Sequence, residues 1–260
     1  LIAYASSFDQ IGPITNNIDD AALILEVISG LDKNDGTSSS RTVPVYSDLK
    51  PVKEKKSIAY ILECFNHEGL DDEIKDSIFT KITSLKKQGH RVEPISFPYL
   101  DYLVATYHVL STAEASSNLS RYDGINFGYR SSNSVDLNQT YVSSRTKGFG
   151  NEVKRRIMLG TFVLSAGYHD EYFSKAQKIR RIIKNKIDAI FKTYDFILTP
   201  TTPHVAFKIG KEHKDPTQMY LEDIFTVLAN LSGNPAISLP MKNHSSGLPY
   251  GLQLMSENFN

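Results

Sequence analysis

Two charged steps in the sequence carry the clearest chemistry. Arg155 and Arg156 stand just ahead of the apolar run "IMLGTFVLS", and Glu222 and Asp223 follow Tyr220 and open "IFTVLANL". A planar guanidinium grips a carboxylate through two parallel hydrogen bonds, and a carboxylate is a natural partner for an ammonium. One arginine and one aspartate brought together would hold an amino acid by both ends. Spacing alone reads each charge first as a helix-end or surface ion pair, and the clamp stands beside that reading.

Other chemistry is sparse. There is no GxxxxGK[ST], no GxGxxG after a strand, no HExxH, no CxxC and no GxSxG, so nucleotide, zinc and α/β-hydrolase sites are unsupported. The histidines at 67, 90, 108, 169, 204, 213 and 244 are scattered, and each reads as structural or exposed. The single cysteine, Cys64, excludes an internal disulfide and any Cys-rich metal site. It follows a strand-like run without a basic neighbour to lower its pKa, the pattern of a buried inert thiol.

The elements that must position these groups follow from periodicity. "SIAYIL" (57–62) suits a buried strand, Asp71–Gln88 carries Ile74, Ile78, Ile82 and Leu85 at helical spacing before Gly89, and "RVEPIS" (91–96) is the next strand. Together they predict a right-handed βαβ unit with parallel strands. Asn17 heads a predicted helix over 17–30, with Asp20 three residues on and Ile18, Ala21, Ala22, Leu25 and Ile28 on a face expected to be buried. Residues 99–150 are rich in Ser, Asn, Tyr and Gly around the helical "LVATYHVLSTAEASSNL", a composition that suits the lining of a site. Two helices are expected between Glu152 and Tyr194, the second with Ile179, Ile183, Ile187 and Ile190 on one face and seven basic residues elsewhere. "DFILTP" (195–200) reads as a strand, a loop runs from "TTP" to "KDP", one helix lies near Tyr220–Leu231, and "AISLP" and "YGLQLM" read as two strands joined by a turn.

The chain has 260 residues, 40% of them apolar, with 29 basic and 29 acidic side chains, so net charge exerts no long-range pull on nucleic acid or an anionic membrane. A soluble, cytoplasmic protein without membrane contact is expected. No apolar run reaches the length of a membrane span, and the first residues lack a signal-peptide pattern. The abrupt start reads as the interior of a longer chain.

The blocks "AYASSFDQIGPITNNIDDAALILEVISGLDKNDGTSS", "AEASSNLSRYDGINFGYR", "GFGNEVKRRIMLGTFVLSAGYHDEYF", "DFILTPTTP", "DPTQMYLEDIFTVLANLSGNPAISLP" and "GLPYGLQLM" resemble the amidase-signature family. Within it they resemble the glutamyl-tRNA(Gln) amidotransferase A-subunit branch, in order and along nearly the whole chain. The resemblance implies an α/β amidase-signature fold, a mixed β-sheet covered by helices on both faces. Residues 1–260 would be a single domain truncated at both ends. It also implies a Ser–cis-Ser–Lys triad, which in the family lies N-terminal to the block that reads "SSFDQIGP" here. The triad is then expected before Leu1, and Ser6, Ser7, Ser38, Ser39, Ser40, Ser116 and Ser117 are not nucleophiles.

By the same resemblance Tyr107, Arg156 and Asp223 fall on glutamine-binding positions. Arg156 would hold the α-carboxylate, Asp223 the α-ammonium, and Tyr107 would pack beside them, although an aromatic near Val104 and Leu110 also suits the core. The implied function is release of ammonia from glutamine to convert Glu-tRNA(Gln) to Gln-tRNA(Gln). No cofactor is implied in this chain. ATP and Mg would be used by a B-type partner subunit that also grips the tRNA, and a small C-type subunit would brace the pair as a heterotrimer. Taken literally, residues 1–260 alone would be inactive and poorly stable. Two rivals remain: a stand-alone amidase acting on another amide, and a non-catalytic scaffold that keeps only the pocket.

Overall fold

Ser57–Ile61 (β1) is apolar without a helical period, and it forms a strand in the computed structural model, which describes residues 3–48, 50–210 and 216–259. Leu62–Phe65 (α2) is a single helical turn after it. Asp72–Lys87 (α3) begins where the Asp71 carboxylate accepts from the N–H groups of Glu73 and Ile74, at 2.8 and 3.2 Å. It stops before Gly89, whose φ of 92° suits a residue without a Cβ. Arg91–Ile95 (β2) then pairs in parallel with β1, Ile58 opposite Val92, as the βαβ reading expects.

The described residues divide into two compact units, those within Leu1–Asp9 and Lys56–Asn260, and those within Gln10–Lys55. In the first, Phe196–Pro200 (β3) lies parallel to β1, and Ala236–Pro240 (β4) and Gly251–Ser256 (β5) complete a mixed sheet in the order β2-β1-β3-β5-β4. β5 runs antiparallel to both β3 and β4. Ile58 to Ile61 and Ile197 to Pro200 are buried without alternation, which requires cover on both faces of the central strands. Tyr60 meets Phe79 of α3 edge to face at 6.0 Å.

The helices of this unit are Leu100–Asn118 (α4), Leu137–Gly148 (α5), Asn151–Val163 (α6), Lys175–Phe191 (α7, led in by a π-helical turn), Pro216–Leu221 (α8) and Val227–Ser232 (α9). α7 buries Ile183, Ile187 and Ile190 as its spacing requires, with Ile179 half-buried. The single helix expected near Tyr220–Leu231 is two short ones. Between them the chain turns at Glu222–Thr226, and the Asp223 carbonyl accepts from the N–H groups of Thr226 and Val227 at 3.0 and 3.1 Å. α5 was not foreseen.

In the second unit Ile18–Ile28 (α1) starts as expected, with the Asn17 side chain accepting from the Asp20 N–H at 2.7 Å. Its expected buried side is overturned. Ala22 alone is buried, while Leu25 is 37% and Ile28 52% exposed. Periodicity marks an apolar face but not what covers it. Part of the predicted loop from "TTP" to "KDP", with His213, lies outside the described residues. No described helix is long and apolar enough to cross a membrane.

Candidate functional site

Tyr107 stands on α4 and Arg156 on α6, and Gly160 lets these two helices touch. A Cβ at Gly160 would lie 2.0 Å from the Thr112 carbonyl oxygen and 2.8 Å from the Ser116 Cβ, so only glycine admits this approach. Arg156 sits one turn before Gly160, and Tyr107 and His108 about one turn before Thr112. The seam is polar: Thr106, His108, Ser111 and Thr112 are all buried on α4.

Three groups hold or face the Arg156 side chain. Its Nε donates to the Glu152 Oε1 at 2.9 Å, its Nη1 faces the Tyr4 hydroxyl at 3.4 Å, and its Cζ lies 5.9 Å from the Tyr220 ring centroid. Tyr4 is itself pinned, its N–H donating to the Asp9 carboxylate and its carbonyl accepting from the Asn118 side chain at 3.1 Å. Burial works against the Arg156 charge, but Glu152 and Tyr4 outweigh it and raise its pKa further. Tyr107 is half-buried and edge-on to Phe8 at 5.3 Å.

Asp223 comes from the turn between α8 and α9. The Gln253 side chain on β5 donates from Nε2 to the Phe225 carbonyl at 3.0 Å and to Thr199 Oγ1 at 2.9 Å, tying that turn to the sheet. Among the described residues the Asp223 carboxylate makes no hydrogen bond or ion pair. Solvent reaches it, yet the protein around it removes part of its hydration and raises its pKa, with Arg156 pulling the other way. Tyr107 feels the same groups: burial raises its pKa, Arg156 lowers it and Asp223 raises it. The three expected residues therefore share one electrostatic neighbourhood. A carboxylate with spare acceptor capacity, within the influence of a held guanidinium, has the chemistry to take a zwitterion.

His108 stacks on Tyr220, centroids 3.9 Å apart. Burial first, then the Arg156 charge, push its pKa down to about 4, so it is neutral at pH 7 and adds no second cation. The serines set aside as nucleophiles are locally engaged where they approach this region. The Ser7 hydroxyl donates to Glu114 and accepts from Arg180 at 2.7 Å, and the Ser116 hydroxyl donates to the Ala113 carbonyl. Cys64 is buried, and its thiol pKa is pushed up by that burial.

A family model described as Amidase matches residues 1–260. The chain belongs to the amidase family. This amidase chain is 48% identical over 261 residues to the protein of Clostridium botulinum (strain Loch Maree / Type A3) described as the A subunit of glutamyl-tRNA(Gln) amidotransferase, covering 100% of this chain and 53% of that one. It is 49% identical to the protein of the same description from Koribacter versatilis, over 100% and 54%. The crystal structure of the A subunit of glutamyl-tRNA(Gln) amidotransferase from Thermotoga maritima matches with a TM-score of 0.74 at 42% identity, over 99% of this chain and 51% of that one. The chain thus spans about half the length of the curated relatives it matches. Its α/β fold, with a mixed sheet and helices, is the fold of that amidase structure.

Four residues around Arg156 escaped the sequence reading as parts of the candidate site: Tyr4, His108, Glu152 and Tyr220. Glu152 lies four residues before Arg156, a spacing that places both on one helix face and signals a pair. Tyr4 is 152 residues from Arg156 and has no local signal.

Proposed function

We propose that this chain carries the glutamine-recognising part of an amidotransferase A subunit, one that releases ammonia from glutamine for conversion of Glu-tRNA(Gln) to Gln-tRNA(Gln). The observation that supports the reading best is that the Arg156 charge acts on both Tyr107 and Asp223, while the Asp223 carboxylate makes no hydrogen bond among the described residues. Arg156 takes the α-carboxylate through its terminal nitrogens, Asp223 the α-ammonium, and Tyr107 packs beside the backbone of the amino acid. Similarity at 48% to a protein named for this subunit supports the substrate.

The nucleophile belongs to a Ser–cis-Ser–Lys triad in the part of the relatives that these residues do not span. It attacks the side-chain amide carbon, ammonia leaves, and water releases glutamate. Residues 1–260 alone are inactive and form one domain with that part. A B-type subunit uses ATP and Mg to activate the glutamyl ester and holds most of the tRNA, a C-type subunit braces the heterotrimer, and the assembly works in the cytoplasm. No cofactor is assigned to this chain.

The test is Arg156→Leu in the full natural chain with its partner subunits. Loss of a desolvated charge pair weakens binding by about 3 kcal/mol, so the KM for glutamine rises roughly a hundredfold while kcat changes little. An unchanged KM, or turnover on another amide that ignores the substitution, overturns the reading in favour of a stand-alone amidase.

A further inference from the structure

Glu152 does more than neutralise its neighbour. Its Oε1 accepts two hydrogen bonds at once, from Arg156 Nε at 2.9 Å and from the Tyr220 hydroxyl at 3.1 Å. Its Oε2 takes Arg155 Nη1 at 2.5 Å. These bonds hold the Glu152 carboxyl below its usual range, the Arg156 bond most of all. The carboxylate is therefore ionised and occupied on both oxygens at neutral pH.

What the shared oxygen joins is the two arms of the site. Arg156 stands on α6. Tyr220 stands near the end of α8, and its backbone carbonyl accepts from the N–H of Asp223 at 3.3 Å. An unbroken path thus runs from the guanidinium through Glu152 and Tyr220 to the backbone of Asp223. Gln253 fixes the far side of the same turn through Phe225, and the stack on His108 fixes the plane of the Tyr220 ring.

The geometry also orients the guanidinium. Glu152 occupies the Nε side, and among the described residues Nη2 makes no hydrogen bond while Nη1 has only the long contact to Tyr4. The pair of terminal nitrogens keeps donors to spare, on an edge a carboxylate can grip with two parallel bonds.

We infer that Glu152 is the positioning residue of the clamp: through one carboxylate oxygen shared by Arg156 and Tyr220, it sets the separation between the group that holds the α-carboxylate and the turn that carries the α-ammonium partner. This rests on the reading of the site as an amino-acid clamp. An exposed i,i+4 pair that served helix stability alone would leave substrate affinity untouched.

The experiment measures glutamine-dependent ammonia release by the full natural chain in complex with its partner subunits, for Glu152→Ala, Glu152→Gln, Tyr220→Phe and the Glu152→Ala/Tyr220→Phe double variant, with Arg156→Leu as reference. A guanidinium and a turn freed to move must be reordered on binding, so Glu152→Ala raises the KM about tenfold with kcat within about twofold. Glu152→Gln, whose amide oxygen still accepts from both donors, recovers most of the loss. Tyr220→Phe keeps the stack on His108 and raises the KM by a smaller factor. The double variant is no worse than Glu152→Ala, because both changes act through the same oxygen. The inference alone falls if Arg156→Leu raises the KM and Glu152→Ala does not, if Glu152→Gln is as damaging as Glu152→Ala, or if the two single effects add. If Arg156→Leu also leaves the KM unchanged, the glutamine reading falls and the inference with it.

Discussion

The two arms of the proposed clamp carry opposite charges and stand in opposite conditions. Arg156 is held before any ligand arrives: a carboxylate bonds its Nε, a tyrosine faces its Nη1, an aromatic ring flanks it, and a close helix contact one turn away fixes its backbone. Asp223 sits on a turn, reachable by solvent, its carboxylate unbonded among the described residues and its pKa raised by lost hydration. A long, rotamer-rich cation gains most from being fixed in advance, since each bond it makes beforehand lowers the ordering cost of binding. A short aspartate has little freedom to lose. Its partial desolvation instead makes an incoming ammonium a better partner than water is.

The sharpest way to break this contrast is at the helix contact. Gly160→Val places a branched side chain against the Thr112 carbonyl and forces α6 off α4, at about 4 kcal/mol, the far end of overpacking costs. Denaturant unfolding reads the loss, and an unchanged midpoint refutes the contact as the base of the fixed arm. Next comes His108, whose neutrality keeps a second cation away from Arg156. Its folded pKa of about 4 lies below the ordinary 6.5, so the unfolded chain takes up the proton first as pH falls. The associated stability is complete above about 6.5 and is lost toward pH 4, a swing of about 3 kcal/mol. His108→Phe keeps the stack on Tyr220 and flattens that part of the stability profile measured by urea unfolding.

The smallest effect belongs to the open arm. In the proposed clamp Asp223 must be ionised to pair with an ammonium, and its pKa is raised above the ordinary 3.8, so the glutamine affinity expected of that clamp falls on acidification sooner than for an unperturbed aspartate. Asp223→Asn removes this acid limb and weakens binding at neutral pH by about 2 kcal/mol, roughly thirtyfold. A calorimetric titration across pH that shows the same limb in wild type and variant assigns it elsewhere.

Local signals explain what could be read in advance. The βαβ unit was legible because Asp71, the Ile74–Ile78–Ile82 stripe and Gly89 all speak about their own neighbourhood. The Tyr220–Leu231 helix was not, because "IFTVLANL" stays apolar across the turn that breaks it and no breaker residue marks Glu222–Thr226. α5 was lost to its polar face, though Asp136 caps it by accepting from the Gln139 N–H at 2.7 Å. Arg156 and Asp223 could be named as a pair of the right chemistry, but only likeness to a family joined them, since any joint role depends on where α6 and a distant turn are carried. Glu152 was within reach of spacing alone. Tyr4 and the Gln253 tether were beyond it, being contacts between segments that share no sequence neighbourhood.

The place of β3 in the sheet has a consequence for how the molecule is made. β3 lies between β1 and β5, and Ser57 exchanges backbone and carboxylate hydrogen bonds with Asp195, 138 residues away. Contacts this distant close large loops and set a slow pace for folding. During synthesis β1 and β2 can pair early through α3, but the other edge of β1 stays bare until α4, α5, α6 and α7 have been made and β3 follows them. That bare edge, apolar from Ile58 to Ile61, is a template for wrong pairing until β3 arrives to cover it.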